Sequence, residues 1–222
     1  MTSRMTLFDL RRLSTDWPSP PAIVAPGPCI AAIRRTAEIL LCLALLVLTL
    51  PLMLAAALAI RLGSHGPILF RQQRVGLHGV PFQVLKFRTM RADAEPNGPV
   101  WATPSDPRIT RVGALLRKSR IDELPQLLNV LRGQMSLVGP RPERPHFVDL
   151  LARELPNYRD REHAKPGITG WAQVRFRYGS SIEDSRRKLE LDLYYLRHRS
   201  LLLDLLILLL TVRTVLCFQG AR

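Results

Sequence analysis

SRIDELPQLLNVLRGQMSLVGPRPE, residues 119–143, sets two adjacent carboxylates, Asp122 and Glu123, at the start of an apolar run and closes on a rigid Pro140-Arg141-Pro142. Leu124, Leu127, Leu128 and Leu131 recur at helical spacing, and Gly133 is placed to stop the helix. Pro125 is tolerated only in a first turn, so the helix is predicted to start at or just before Asp122. Free backbone N–H groups and the positive end of the helix dipole would then lie beside both acids, where a phosphate binds well. The same pair also reads as ordinary capping, with Asp as N-cap and Glu in the first turn. The surroundings must separate the two readings.

Upstream, between Arg71 and Arg120, ten Lys or Arg stand against three acids, Asp93, Glu95 and Asp106. These cations are interspersed with turn and strand residues rather than strung into a tail, which suits a lined pocket or a membrane-facing surface. Glycines 63, 66, 76 and 79 and Pro67 mark tight turns, predicting short strands between Ile68 and Val84. Over Val80–Met90 the period of two puts Leu85 and Phe87 on one face and Lys86 and Arg88 together on the other. Arg108 and Arg111 follow in DPRITRVG, residues 106–113. Cations around an acidic pair suit phosphoryl chemistry, in which Arg and Lys clamp phosphoryl oxygens and a carboxylate is nucleophile or metal ligand. Magnesium is the usual divalent ion for such a set, with Asp122 and Glu123 as its candidate ligands.

Further upstream, Ile39–Ile60 is 22 residues without a charge. That is about 33 Å of helix, enough for a hydrocarbon core of about 30 Å. Pro51 sits near its middle and predicts a kink or break. Basic residues flank both ends, Arg34 and Arg35 before and Arg61 after. A helix broken at Pro51 that enters and leaves by one face satisfies both flanks; a kinked span is the other arrangement. Residues 1–33, with prolines at 18, 20, 21, 26 and 28, read as a flexible tail. The first long apolar run begins too late and runs too long for a cleaved signal.

Downstream, helices are predicted around Leu150, Leu151 and Leu155 and from Ser181 or Ile182 to Tyr195, with a glycine-rich loop at Lys165–Trp171 between them. The closing run, Leu201–Phe218, is apolar but holds Asp204 and Arg213, which leave eight residues between them. A charge in mid-bilayer costs about 2.5–3.5 kcal/mol on insertion scales, so an amphipathic helix over 200–218 lying in the interface is expected instead of a second span. Cys29, Cys42 and Cys217 have no metal or redox spacing and read as buried free thiols.

The expected fold is therefore a membrane-associated α/β domain, mostly α. It has a tail over 1–33, a Pro-broken membrane helix over 34–62, and a catalytic domain over 63–222 with short strands and interfacial helices. The net charge of +14 implies anionic partners. A membrane-anchored basic protein binding nucleic acid or acidic lipid would also carry that charge. Its cations, however, accompany glycines, prolines and acids and form no basic helix or aromatic platform, so nucleic acid is not an expected partner. A two-carboxylate glycosidase is disfavoured, because neighbouring residues on one helix rarely flank a sugar at the required separation of about 5–9.5 Å.

Four segments, LKFRTM (85–90), DPRITRVG (106–113), RIDELPQLLNVLRGQMSLVGPRPE (120–143) and KPGITGWAQV (165–174), together resemble the bacterial sugar transferase family, monotopic phosphoglycosyl transferases acting on polyprenyl phosphate. The resemblance runs from about Arg34 to the C-terminus and keeps the motifs in order. It implies transfer of a phosphosugar from a nucleotide diphosphate sugar, with UDP-sugar expected, to undecaprenyl phosphate at the cytoplasmic face of the bacterial inner membrane, in glycoconjugate or exopolysaccharide synthesis. It also implies a re-entrant membrane helix broken at Pro51, dependence on Mg2+, and a covalent phosphosugar on Asp122 with Glu123 as its partner. The Pro140-Arg141-Pro142 loop is then associated with the nucleotide. Lys86, Arg88, Arg108, Arg111 and Arg141 are candidates for neutralising the phosphates. The nucleotide sugar, undecaprenyl phosphate and the bilayer are the implied partners, and a homodimer is compatible with them. Two positions depart from the family pattern: Leu50 stands where many members have Ser before the proline, and Gln134 where many have an acid.

Overall fold

The computed structural model describes residues 27–91, 94, 106–176 and 181–216. The chain opens with helix α1, Pro28–Gly63, 36 residues or about 54 Å. Pro28 is in the first turn, where its missing N–H costs nothing, so the helix begins before the predicted limit at residue 34. Residues 1–26 of the expected tail lie outside the described residues. The backbone stays helical across Pro51. The predicted break into two segments is therefore not seen. Pro51 leaves the Val47 carbonyl without its usual donor. In the turn before it, the Thr49 hydroxyl donates to the Leu45 carbonyl at 2.7 Å.

After α1 come β1, Leu69–Val75, and β2, Pro81–Phe87, an antiparallel hairpin in the register Leu69↔Phe87 to Val75↔Pro81. The connection holds two residues at positive φ, His78 (54°) and Gly79 (78°). Helix α2, Arg111–Lys118, is N-capped by Thr110, whose hydroxyl accepts from the Gly113 amide. A single 3-10 turn, Ile121–Glu123, then precedes α3, Gln126–Leu131. Gly133, at φ 77°, ends that helix as the sequence predicts. Next come β3, Ser136–Val138; α4, Pro145–Glu154; a 3-10 stretch, Tyr158–His163; and β4, Gly167–Thr169. Helices α5, Trp171–Arg175, α6, Ile182–His198, and α7, Leu201–Leu216, complete the chain. Ser181 and Asp184 form a capping box at the start of α6.

Strands β3 and β4 pair in parallel, Ser136↔Gly167 and Val138↔Thr169. This brings the Lys165–Gly170 loop against the segment leading into Pro140. The backbones meet so closely that a Cβ on Gly139 would stand 2.4 Å from the Lys165 carbonyl oxygen. The main core lies under both sheets, where Val84, Val130, Met135, Tyr195 and Ile207 are buried. Asn129, fully buried at the centre of α3, ties that helix to β2: its amide oxygen accepts from Leu85 N and its amide nitrogen donates to Gln83 O and to Gln134 Oε1. Gln134, the position that departs from the family's acid, thus serves packing.

Both ends of α1 dock on this one body. Cys42 is buried beside Leu127 and Ile207, and Ala56 and Ile60 pack against Phe87 and Leu116. Between and around these contacts Leu40, Leu43, Val47, Leu48, Leu54 and Leu58 are exposed. Helix α7 buries Ile207 and exposes Leu202, Leu205, Leu209 and Val212. Its outer face is thus apolar, where the sequence predicts an amphipathic one. Asp204, the charge that argued against a span, is ion-paired with Arg34 of α1 and accepts from the Tyr195 hydroxyl. Of the cysteines, Cys42 is buried as expected, Cys29 is exposed where burial was expected, and Cys217 lies outside the described residues.

Candidate active site

The Asp-Glu pair does not open a regular helix. Arg120 adopts a left-handed conformation (φ 60°, ψ 11°), which costs a non-glycine residue about 1 kcal/mol or more and marks a constrained position. It turns the chain sharply out of α2 into the Ile121–Glu123 turn, where the Glu123 amide bonds Arg120 O and the Leu124 amide bonds Ile121 O. Those two amides are therefore spent inside the turn, and one turn has no appreciable dipole. The expected helix-terminus phosphate cradle is not formed here.

What the turn does is bury both carboxylates in different company. Asp122 and Glu123 are each 8% exposed. Glu123 is held by three cations: Lys86 Nζ at 2.9 Å, Arg141 Nη2 at 2.8 Å and Arg120 Nη1 at 3.9 Å. Asp122 has no ion pair or side-chain hydrogen bond among the described residues. Burial raises its pKa and the charge of Glu123 raises it further, against Lys86, Arg117 and Arg141, so its carboxyl is pushed up to about 6. At Glu123 burial also acts upward, but Arg141, Lys86 and Arg120 outweigh it and hold the carboxyl well below the usual range. Burial lowers the pKa of Lys86, partly offset by Glu123. One acid is thus a fixed counter-ion and the other a poorly solvated, unpaired carboxylate, which makes it the more reactive nucleophile.

Arg141 is aimed by the loop that carries it. Arg161 Nη2 donates to the Arg141 carbonyl at 2.8 Å and to Asp192 Oδ2 at 2.6 Å, while its Nη1 donates to the Tyr158 hydroxyl at 2.9 Å. Arg74 Nη1 donates to the Pro142 carbonyl at 3.0 Å and pairs with Glu143 at 3.5 Å. Two largely buried arginines therefore hold successive backbone carbonyls, those of Arg141 and Pro142. A small cleft lined by Val75, Gly76, Pro140, Arg141, Pro142 and Glu143 lies beside the loop.

Of the cations predicted from sequence, the structure brings Lys86 and Arg141 to the pair and leaves three away from it. Arg88 is 6% exposed and caps the end of α1, donating to the carbonyls of Ser64 and His65 at 2.9 and 2.6 Å. The strand alternation that placed it beside Lys86 ends at Phe87, where β2 ends. The Arg108 guanidinium makes two bonds to Asp106, at 2.8 and 2.5 Å. Arg111 opens α2 on an exposed face.

A search with family descriptions matches the bacterial sugar transferase family over residues 30–218. The chain belongs to that family. It is 49% identical over 197 residues to the UDP-N-acetylgalactosamine-undecaprenyl-phosphate N-acetylgalactosaminephosphotransferase of Aeromonas hydrophila, covering 89% of this chain and 47% of the relative. It is 47% identical to a UDP-glucose:undecaprenyl-phosphate glucose-1-phosphate transferase of Caulobacter vibrioides, covering 85% and 71%. With the Bacillus subtilis protein named uncharacterized sugar transferase EpsL it shares 44% identity, over 86% of this chain and 90% of that one. The chain thus spans about half the length of the Aeromonas relative and most of the other two.

Four residues of this candidate site are not singled out by the sequence. Arg117 donates to the Thr89 hydroxyl at 3.0 Å and lowers the Asp122 pKa by its charge. Arg120 is one of the Glu123 cations, and Arg74 and Arg161 set the loop. Arg117 and Arg120 lie five and two residues before Asp122, so their proximity was available as a signal. Arg74 and Arg161 were not separable from the general basic excess. Among the described residues no three His, Cys, Asp or Glu side chains gather as a metal site. Magnesium needs less from a protein when phosphates supply the other ligands. Unpaired Asp122 fits that requirement, whereas Glu123 is already engaged by cations.

Proposed function

We propose that this transferase moves a phosphosugar from a UDP-sugar to undecaprenyl phosphate through a covalent intermediate on Asp122. The observation that carries the reading is the division of the acidic pair, a desolvated unpaired Asp122 beside a Glu123 that gathers Lys86, Arg120 and Arg141. In the first step an Asp122 oxygen attacks the sugar-bearing phosphorus of the donor, the bond from that phosphorus to the bridging oxygen breaks, and UMP leaves. In the second, a phosphate oxygen of the lipid attacks the same phosphorus, the acyl phosphate bond breaks, and the Asp122 carboxylate is restored. No proton transfer is needed to make the nucleophile, since Asp122 is ionised above about pH 6.

Attack of one anion on another needs charge neutralisation. Lys86 and Arg141, preset against Glu123, supply cations at the nucleophile without reorganisation. Asp122 would hold magnesium, which when bound would supply the remaining positive charge. The Pro140-Arg141-Pro142 loop, gripped by Arg74 and Arg161, holds the nucleotide end of the donor.

The lipid acceptor accounts for the exposed leucines of α1 and α7, which seat in the bilayer at the cytoplasmic face of the inner membrane. Both ends of α1 touch the same body, which supports seating of this unbroken helix from one face of the bilayer. A straight span would carry one of those ends across the bilayer. The reaction initiates glycoconjugate or exopolysaccharide assembly.

The test is UMP release from a panel of UDP-sugars, UDP-glucose and UDP-N-acetylgalactosamine first, with detergent-solubilised protein and undecaprenyl phosphate. Release is expected for at least one donor, dependent on Mg2+ and absent in Asp122→Asn. Release by Asp122→Asn at the wild-type rate would remove Asp122 from the chemistry.

A further inference from the structure

The foot of the α1–α7 pair carries more positive charge than it can satisfy. Arg34 is spent on Asp204. Arg35 donates to Glu38 at 2.8 Å and to the carbonyls of Val130 and Leu131 at 2.9 and 3.1 Å. Glu38 is saturated in turn, since its other oxygen accepts from the Ser136 hydroxyl at 2.5 Å and the Leu137 amide at 2.7 Å. Two further cations, Lys165 and Arg199, have no hydrogen bond or ion pair among the described residues, and Arg199 Nε is buried without a partner. A Cβ on Gly133 would stand 3.7 Å from both Arg35 Nη2 and Lys165 Nζ, so those two charges lie no more than about 7.4 Å apart beside Gly133. Arg199 is within electrostatic reach of the same lysine: burial, then Arg35, then Arg199 lower the Lys165 pKa, with Glu38 acting the other way. An anion placed there would relieve that repulsion.

Position identifies the anion's source. Arg34 and Arg35 stand just before the apolar run that starts at Ile39, and Arg199 stands two residues before α7. The exposed Leu40, Leu43, Leu202 and Leu205 continue from this basic collar. Cations at the polar end of an apolar surface sit at head-group depth. Lys86 and Arg141, by contrast, come from β2 and the loop after β3.

We infer that Arg35, Lys165 and Arg199 form a binding site for the phosphodiester head group of an anionic glycerophospholipid, separate from the catalytic pair, that fixes the depth at which the domain sits. This rests on the bilayer seating of α1 and α7 proposed above. The test titrates dioctanoyl phosphatidylglycerol into the full chain in a zwitterionic detergent, with dioctanoyl phosphatidylcholine and inorganic phosphate as comparators, reading the rise in Tm. Phosphatidylglycerol is expected to stabilise the wild type and the other two are not. Lys165→Gln and Arg199→Gln should each weaken the effect about fivefold, Lys165→Arg should restore it, and UMP release should be unchanged in pure phosphatidylcholine vesicles. Equal stabilisation by phosphatidylcholine, equal stabilisation by inorganic phosphate, or wild-type response of the double Gln variant would overturn the inference. A raised KM for undecaprenyl phosphate in Lys165→Gln would also overturn it, by assigning the site to the acceptor. Flotation with pure phosphatidylcholine vesicles tests the seating alone: a chain that floats but ignores phosphatidylglycerol keeps the seating and loses the lipid site.

Discussion

Asp122 and Glu123 are neighbours with opposite electrostatic fates, and the difference can be measured. Since Glu123's charge helps raise the Asp122 pKa, Glu123→Gln removes that push and frees Lys86, Arg120 and Arg141 to act on Asp122. The acid limb of kcat/KM, expected near pH 6 in the wild type because the carboxylate is lost as pH falls through its pKa, should move to lower pH in Glu123→Gln. A limb that stays or moves up would contradict the assignment. Stability has its own sign. A carboxyl whose folded pKa is raised costs stability when ionised, and the cost is present above about pH 6 and gone below the unfolded value near 4. Asp122→Asn should therefore raise stability by about 1–3 kcal/mol at pH 8 and by little at pH 4, as read by thermal denaturation at both. Loss of stability at pH 8 would show that Asp122 is paired after all. The adjacency of the two acids was plain in the sequence. The family resemblance implied separate roles for them, but their electrostatic division was not legible, because the cations that distinguish them come from β2, a left-handed Arg120 and a loop 18 residues on.

At the scale of elements, the sequence carried the β1–β2 hairpin, the stop at Gly133 and the start of α6, each set by local turn or cap chemistry. It misjudged two features decided by packing. The helix predicted at Asp122 is a 3-10 turn because Arg120 redirects the chain, and nothing in local propensity foretells a left-handed arginine. Pro51 does not end α1, because contacts of Cys42 on one side and Ile60 on the other keep one helix on one body. The Pro140-Arg141-Pro142 loop is the element most dependent on distant residues. Arg161→Met would leave Asp192 buried and uncompensated and should cost about 3–5 kcal/mol. Arg161→Met combined with Asp192→Leu should recover part of that in stability while UMP release stays low, since the Arg141 carbonyl has still lost its donor. Full recovery of both would make the pair merely structural.

Taken whole, the molecule is a small body with two leucine-faced helices on one side, an apolar surface of the kind that marks a membrane or protein contact. The apolar run and its basic flanks were legible in composition alone. What was not legible is that Arg34 neutralises Asp204, so the charge that seemed to break the final apolar stretch is cancelled by a residue 170 positions earlier. One-face seating predicts that a tag added at the N-terminus is shielded from membrane-impermeant reagents in intact cells and labelled after lysis. A tag labelled in intact cells would require a span instead.

Whether Asp122 carries the phosphosugar is measured by intact mass and peptide mapping of the protein after incubation with its UDP-sugar in the absence of lipid acceptor. The predicted result is a mass gain of one phosphosugar, mapped to the peptide containing Asp122, lost on adding undecaprenyl phosphate and absent in Asp122→Asn. Turnover with no adduct at any time, or an adduct mapped to a different residue, would contradict it.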